Sequence, residues 1–447
     1  MTEKKAAPEA APRIPVLIWA AGLALRLLFI AFEPSTTPVA DETMWLMALR
    51  RIPSAGFSPF ANYPIFHPPL YPYFLAAAHA VTGSLTGIKV LQALLGSLLI
   101  PALYRLGRAS FGQRAGIGAA AIAALYPELI WYAAHFWCET LFLVFFWWAL
   151  ERTVAASSGG SLRDAALAGA LFGLAVLTRE TLLYVMPMAA LFLVFAGGQR
   201  RLRHGVILVA VALAFVLPWT ARNWIQFHAF IPVSTGGGLN LYQGNAPLSR
   251  NEVYAEYYAN EGKVEQYQWA RAAGLRAIWD RQPAWIFEKI RDEGPRLAEA
   301  DSLALIHIRR GAYGEVPCGT YRTAATVVLL PWLIILGAAL LSLSRLRLEG
   351  ATLWLPCVTG AYLLLHIATH GFSRYRLPVL PSAFLLTAAL LEQDCASGRT
   401  PARRALLVVL VVAAGLLLAP SVLEQAGYWG LMAPSDVEGF APVCPAL

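Results

Sequence analysis

The chain has 447 residues, 58% of them hydrophobic and only 14% charged, with a mean hydropathy of +0.55. Soluble domains carry about 25% charged residues, so a soluble enzyme or binding module is excluded and the class is a polytopic, all-α membrane protein. The formal charge of +8 would suggest nucleic acid in a soluble protein, but here the basic residues cluster in short loops between apolar runs, where topology explains them.

The first apolar run, 14–32, follows Lys4, Lys5 and Arg13. It is long enough to span and lacks a cleavage site, so it reads as a retained helix rather than a signal peptide. "ADETMW" follows, with Asp41 and Glu42 adjacent, then "FHPPLYPYF". The stretch 68–83 is short for a crossing and carries prolines at its start, so it reads as a helix resting on or dipping into the outer face. Further spans are predicted near 86–105, 115–133, 138–154, 163–178, 183–197, 205–221, 322–343, 350–369, 377–392 and 405–422, eleven in all with the first. Between them lies one substantial aqueous segment. In it "STGGGLNLYQGN" has turn composition, with Gly236–Gly238 as a tight turn, and the stretch after it has helical spacing.

The expected divisions are a cytoplasmic tail (1–13), an N-terminal membrane module (14–221, including outer loop 33–85), an outer segment (222–321), C-terminal membrane helices (322–422) and an outer tail (423–447). Thirteen arginines fill five loops: 105, 108 and 114; 152 and 163; 200, 201 and 203; 345 and 347; 399, 403 and 404. The alternate short loops hold Arg179, Arg374 and Arg376. The positive-inside rule puts the arginine-rich loops and the N-terminus in the cytoplasm. Had 68–83 crossed, those loops would lie outside. The five cysteines (138, 318, 357, 395 and 444) have no metal-ligand spacing. Cys318 and Cys444 both fall outside the membrane, where a disulfide is allowed.

Ionisable residues at the rim of a bilayer are costly and carry a functional hypothesis by default. On this topology they collect on one side: Asp41, Glu42, Glu139, Arg179, Glu180, Arg222, His366, His370, Arg374 and Arg376. Each also fits a plainer role. Acids favour helix starts, Glu139 suits an ion pair with Arg179, and Arg374 and Arg376 suit lipid headgroups. His366 and His370 share a helix face, but no third metal ligand accompanies them, so packing is the simpler role.

Taken in order, "ADETMW", "FHPPLYPYF", "CETLF", "LTRET", "PWTARNW", "STGGGLNLYQGN" and "SRYRLPVLP" resemble the GT-C superfamily of membrane glycosyltransferases. More narrowly, they are similar to bacterial relatives of protein O-mannosyltransferases and of the lipid A aminoarabinose transferase. The series runs over roughly 15–385. The family often has Asp where this chain has Glu139, and the aminoarabinose transferases have Glu-Lys where it has His67-Pro68. The resemblance implies a GT-C fold and transfer of a sugar from a polyprenyl-phosphate donor to a lipid, glycan or protein acceptor. The reaction would take place at the outer (periplasmic) face of the inner membrane.

The residue chemistry agrees. Nucleotide sugars are absent outside the cytoplasm, and the chain has no dinucleotide or P-loop glycine pattern. An outer donor must therefore travel in the bilayer. Within the resemblance Asp41 is the general base, with Glu42 orienting the acceptor or raising the pKa of Asp41. Glu139 assists by hydrogen bonding or by sharing a divalent cation, so metal dependence stays open. Arg374 and Arg376, then Arg179 and Arg222, are the donor-phosphate candidates. His67, Tyr71 and Glu180 would line the substrate approach, and the 68–83 helix would gate it. The rival class is a transporter, which would place its charges near the bilayer midplane and commonly shows repeated halves; the acids here lie at the rim, and no repeat is present.

Overall fold

The structure, a computed structural model, describes residues 13–34, 36–58, 65–159, 161–196, 201–347 and 349–392, with 414, 415, 418 and 422. Every regular element among them is helical. α1 (Arg13–Phe32) leads into α2 (Asp41–Ser54) and α3 (Leu70–Thr82). α4 (Leu85–Ser97) and α5 (Leu99–Ser110) form one apolar run, while α6 (Gln113–Leu125) and α7 (Pro127–Ala134) meet at a 50° bend. α8 (Glu139–Ser157), α9 (Leu162–Thr178), α10 (Leu182–Ala196) and α11 (Arg201–Phe227) complete the first helical group. α12 (Gly236–Asn245), α13 (Arg250–Ala259), α14 (Lys263–Trp279), α15 (Ala284–Ala298) and α16 (Leu303–Arg309) occupy the polar segment. α17 (Cys318–Leu343), α18 (Ala351–Thr369), a 3-10 turn (Ser373–Val379) and α19 (Leu380–Ala389) follow.

Each of the ten spans expected up to residue 392 coincides with a helix or a helix pair. Six of the described helices are long and apolar enough to cross a membrane, or seven if the α6–α7 pair is one span. α9, with 17 residues, α10, with 15, and α19, with 10, are shorter. The eleventh expected span, 405–422, lies outside the described stretches apart from isolated residues.

One local feature departs from the sequence reading, and a second was not singled out by it. "GGGLNLYQGN" is a helix, α12, rather than a turn. Its glycines serve close approach: a Cβ at Gly236 would lie 2.6 Å from the Phe66 carbonyl, and one at Gly237 would lie 2.5 Å from Glu180 Oε1. Glycine here permits contact at the usual helix-propensity cost. The second feature is Arg26, buried in the middle of apolar α1 at 1% exposure. Its guanidinium donates to the carbonyls of Gly22 (2.8 Å), Ala123 (3.2 Å) and Ala124 (3.4 Å). The break explains the need: four residues after Ala123 stands Pro127, which has no N–H to offer. Arg26 thus supplies donors to backbone acceptors freed at the bend.

Beneath the polar segment, Phe142 and Phe146 of α8 stack at 5.6 Å, and Phe146 stacks on Tyr362 of α18 at 6.3 Å. This aromatic layer locks the start of α8, which carries Glu139, against α18. Cys318 is disulfide-bonded, while Cys138 and Cys357 are free. Removing Arg26 should strand the acceptors at the bend, so Arg26→Leu is expected to cost about 1–3 kcal/mol. Thermal unfolding of the detergent-solubilised protein checks this; an unchanged melting temperature would mean that the bend satisfies itself.

Candidate active site

The two acids that open α2 part company at once. Successive helical residues point about 100° apart, so Asp41 and Glu42 face different surroundings. Asp41 Oδ2 accepts a hydrogen bond from Arg374 Nη1 at 2.9 Å, across 333 residues of chain. Burial works to raise the Asp41 carboxyl, but the Arg374 guanidinium, followed by His67, holds it below its ordinary value. It is therefore a carboxylate at neutral pH. Glu42 is buried at 3% exposure and accepts from the Phe136 amide at 3.0 Å, with His307 Nε2 at 3.1 Å. His307 Nδ1 lies 2.9 Å from the Leu303 carbonyl. With acceptors at both ring nitrogens, the contact requires a second proton on either the ring or the carboxyl. Glu42 is thus built into a structural network rather than into the cavity.

The arginine doublet divides in the same way. In a 3-10 turn, residues two apart point about 240° apart. Arg374 faces Asp41 and stacks near Trp137 and Tyr375, each 5.2 Å from its guanidinium carbon. Arg376 is buried over Trp332 and donates to the carbonyls of Leu297, Glu299 and Asp301. It ties down the chain before α16.

Glu139, the first residue of α8, accepts from Arg179 Nη1 at 2.9 Å, and Arg179 lies 5.3 Å from the Tyr375 ring. The Tyr375 ring thus lies within cation–π reach of both Arg179 and Arg374. His67 packs against Trp45, the ring centroids 4.3 Å apart and the planes tilted by 44°. Burial pushes its imidazole down to about 4, so it is neutral at physiological pH. Glu180 accepts from both the amide (3.2 Å) and the hydroxyl (2.7 Å) of Ser234, just before α12. Burial pushes its carboxyl up to about 7 against these hydrogen bonds.

These residues line one cavity of about 270 Å³, whose wall includes Asp41, His67, Glu139, Arg179, Glu180 and Arg374. A second cavity of about 350 Å³ shares Arg179, Glu180, Ser234 and Tyr375 with it and is also lined by Leu183, Tyr184, Leu275 and Leu365. Five expected or related positions fall elsewhere. Besides Glu42 and Arg376, Tyr71 is buried and donates to Gln92 Oε1 at 2.9 Å. Arg222 stacks on Trp219 and Phe227 and donates to Asn223. Asn223 in turn donates to the Ile231 carbonyl at 3.0 Å. None of the five borders either cavity. Conversely, Asn240, Gln243, Arg250, Tyr254 and Arg310 line the first cavity and were not singled out from sequence. They belong to the polar segment, whose docking no local pattern reveals. Among the described residues no three His, Cys, Asp or Glu side chains gather as a metal site.

Glu180 sets a pH signature. Because its folded-state pKa lies above the ordinary carboxylate value, its stabilising effect is present at low pH and is lost as pH rises through about 7. Relative to Glu180→Gln, the wild-type protein should lose stability between pH 5 and 8, by on the order of 1–3 kcal/mol. Parallel melting curves for the two proteins across that range would refute a buried, titrating Glu180.

Comparison with known proteins bears on this arrangement. Residues 66–224 match the family described as dolichyl-phosphate-mannose-protein mannosyltransferase. No curated protein sequence matches the chain. Among solved structures, ArnT from Cupriavidus metallidurans bound to undecaprenyl phosphate superposes with a TM-score of 0.55 at 15% identity, covering 96% of this chain and 67% of that one. The archaeal oligosaccharyltransferase AglB from Archaeoglobus fulgidus, in complex with an inhibitory peptide and a dolichol-phosphate, superposes with a TM-score of 0.54 at 16% identity, covering 95% and 58%. The chain therefore spans 58–67% of the length of these two proteins. At such identity the likeness establishes the fold alone, which this chain shares with ArnT and AglB.

Proposed function

We propose that this chain is an integral membrane glycosyltransferase that moves a sugar from a polyprenyl-phosphate carrier to an acceptor hydroxyl. The observation that carries the reading is the gathering of Asp41, Arg374, Glu139 and Arg179 in one cavity from four separate parts of the chain. In the proposed reaction the acceptor oxygen attacks the anomeric carbon while Asp41 takes its proton. The bond from the anomeric carbon to the phosphate oxygen breaks, and the polyprenyl phosphate departs as an anion. Arg374 gives Nη1 to Asp41, whereas its Nη2 reaches only the Tyr375 hydroxyl at 3.5 Å. One edge of the guanidinium thus remains for phosphate oxygens. Arg179 also lies within 5.3 Å of the Tyr375 ring, and its bond to Glu139 holds it there.

The second cavity suits the carrier. It shares Arg179, Glu180 and Tyr375 with the wall of the first, and its remaining wall is rich in leucine and tyrosine. The comparisons support the same chemistry: the ArnT and AglB structures hold undecaprenyl phosphate and dolichol-phosphate. The reading of Arg376, Arg222, Tyr71 and Glu42 is revised accordingly. They are scaffold, and Arg374 and Arg179 carry the phosphate role.

The proposed location is the inner membrane with the site on the periplasmic face. Asp41, Glu139, Arg179 and Arg374 all lie at the helix ends opposite to the arginine-rich loops, which the positive-inside rule assigns to the cytoplasm. The disulfide at Cys318, at the same ends, fits an oxidising compartment. The charges sit at helix termini rather than within broken helices, so the transporter reading gains no support. Asp41→Asn should lower transfer by about 10²–10⁴-fold while membrane insertion stays normal. Glycan profiling of a deletion strain complemented with either form checks this, and full restoration by the Asp41→Asn form would remove the proposed base.

A further inference from the structure

Behind the first turn of α2 lies a cluster of ionisable groups that the proposed chemistry does not use. The side chains of Glu33, Glu42, His135 and His307 each expose 3% or less of their surface. Burial at that level is costly unless hydrogen bonds compensate, and here they do so only with shared protons. Glu42 accepts from the Phe136 amide and meets His307 Nε2, while His307 Nδ1 already faces the Leu303 carbonyl. That pair is complete with one proton between carboxyl and ring. A second group repeats the pattern. His135 Nδ1 lies 3.0 Å from the Trp131 carbonyl, which assigns that nitrogen its hydrogen. His135 Nε2 then faces Glu33 Oε1 and the Tyr313 hydroxyl, each at 3.2 Å. Tyr313 accepts from Trp131 Nε1 at 2.9 Å and has one proton for two acceptors, Glu33 Oε1 at 2.9 Å and His135 Nε2. Lys89 closes the far end with an ion pair to Glu33 at 3.3 Å. Trp131 joins the two groups, stacked on His135 at 3.8 Å and edge-on to His307 at 4.8 Å.

The cluster braces the wall of the first cavity from behind. Glu42 follows Asp41 directly, so a side chain pinned on one face of α2 sets the direction of the other. Ala40, just before them, lines the cavity with φ at 52°. That left-handed value is unfavourable for a residue with a Cβ and persists where the surroundings fix it. The Glu42 carboxylate accepts from the Val39 amide at 3.4 Å and so brackets Ala40 from both sides. His307 belongs to α16, whose Leu303 and Ile306 line the cavity. Its ring also meets Trp137 at 5.8 Å, and Trp137 carries the Arg374 guanidinium. Both members of the Asp41–Arg374 pair are thereby backed by one cluster.

We propose that Glu42 and His307, supported by Glu33, His135 and Tyr313, are positioning residues that aim Asp41 at the acceptor hydroxyl. The inference rests on the glycosyltransferase reading above and gives the second acid of the doublet its part in it. What the cluster supplies is a hydrogen-bond pattern, not a reacting charge. An amide at position 42 preserves that pattern: its oxygen accepts from Phe136, and its nitrogen donates to an unprotonated His307 Nε2. An apolar side chain there breaks it.

The test uses the full chain in two settings. Variants complement a deletion strain at matched membrane levels, with the sugar product read by glycan profiling, and the same variants in nanodiscs are titrated with undecaprenyl phosphate. Glu42→Gln should give product within about threefold of wild type, because its hydrogen bonds are retained. Glu42→Leu and His307→Phe should lower product by about tenfold to a hundredfold, the scale of a small misplacement of a reacting group. Tyr313→Phe, which removes the proton shared by Glu33 and His135, should lower it by about threefold or more. Undecaprenyl phosphate affinity should stay within about twofold throughout, the mark of an effect on transfer and not on binding. The proposal is overturned if Glu42→Gln loses product as Asp41→Asn does, since the carboxylate itself then reacts. It is also overturned if any of the three disrupting variants transfers like wild type. Loss of carrier affinity together with product in Glu42→Leu and His307→Phe overturns it as well, since the cluster then serves the fold at large. A deletion strain with unchanged glycans, or wild-type protein that does not bind undecaprenyl phosphate, would instead remove the glycosyltransferase reading on which the inference depends.

Discussion

The ion pair between Asp41 and Arg374 is the constraint around which the site is organised. It joins the first turn of α2 to the 3-10 turn after α18, at 2.9 Å. Without Arg374, burial would push Asp41 toward its neutral form against the weaker pull of His67 and Arg179, which would disable it as the proposed base. Without Asp41, Arg374 would sit beside Arg179 and Tyr375 with one fewer counter-charge. The second pair, Glu139 with Arg179, repeats the device from α8 and the turn after α9. Two carboxylates and two guanidinium groups are thereby held around one aromatic ring, Tyr375. Such charge-assisted contacts are strong and directional, and they hold in place the geometry that the proposed displacement would need.

The scaffold explains how a mostly apolar chain tolerates this. The paired residues lie at helix ends, where capping and exposed backbone dipoles soften the desolvation penalty. The scaffold charges are engaged mainly by backbone: Arg376 through its Nη atoms by three carbonyls, Arg26 likewise by those at the α6–α7 bend, and Glu42 by an amide and the His307 ring. A buried charge engaged in this way fixes local geometry, and Arg376, Arg26 and Glu42 line neither cavity. Proximity in sequence to a reactive residue is therefore a poor guide to role in this protein.

That distinction also marks what was legible in the sequence. The helical class, the order of elements up to residue 392 and the convergence of Asp41, Glu139, Arg179, Glu180, His67 and Arg374 follow from apolar runs, loop charge and motif order. The doublets could not be resolved, because Asp41–Glu42 and Arg374–Arg376 separate only once helix or 3-10 geometry sets their directions. "STGGGLNLYQGN" signals a turn by its glycine composition, whereas its glycines lie against neighbours distant in sequence, Gly236 against the Phe66 carbonyl and Gly237 against the Glu180 side chain. Arg250 and Arg310 were invisible for a related reason: their place in the cavity depends on how α13 and α16 dock, and no short pattern encodes that docking.

The central claim is that Arg374, held by Asp41, faces the phosphate of a lipid carrier. The most direct measurement is the affinity of nanodisc-embedded protein for undecaprenyl phosphate, compared between wild type and Arg374→Ala at matched folding. Loss of the guanidinium is expected to weaken binding by about tenfold or more. An unchanged affinity would place the carrier phosphate elsewhere and contradict the account.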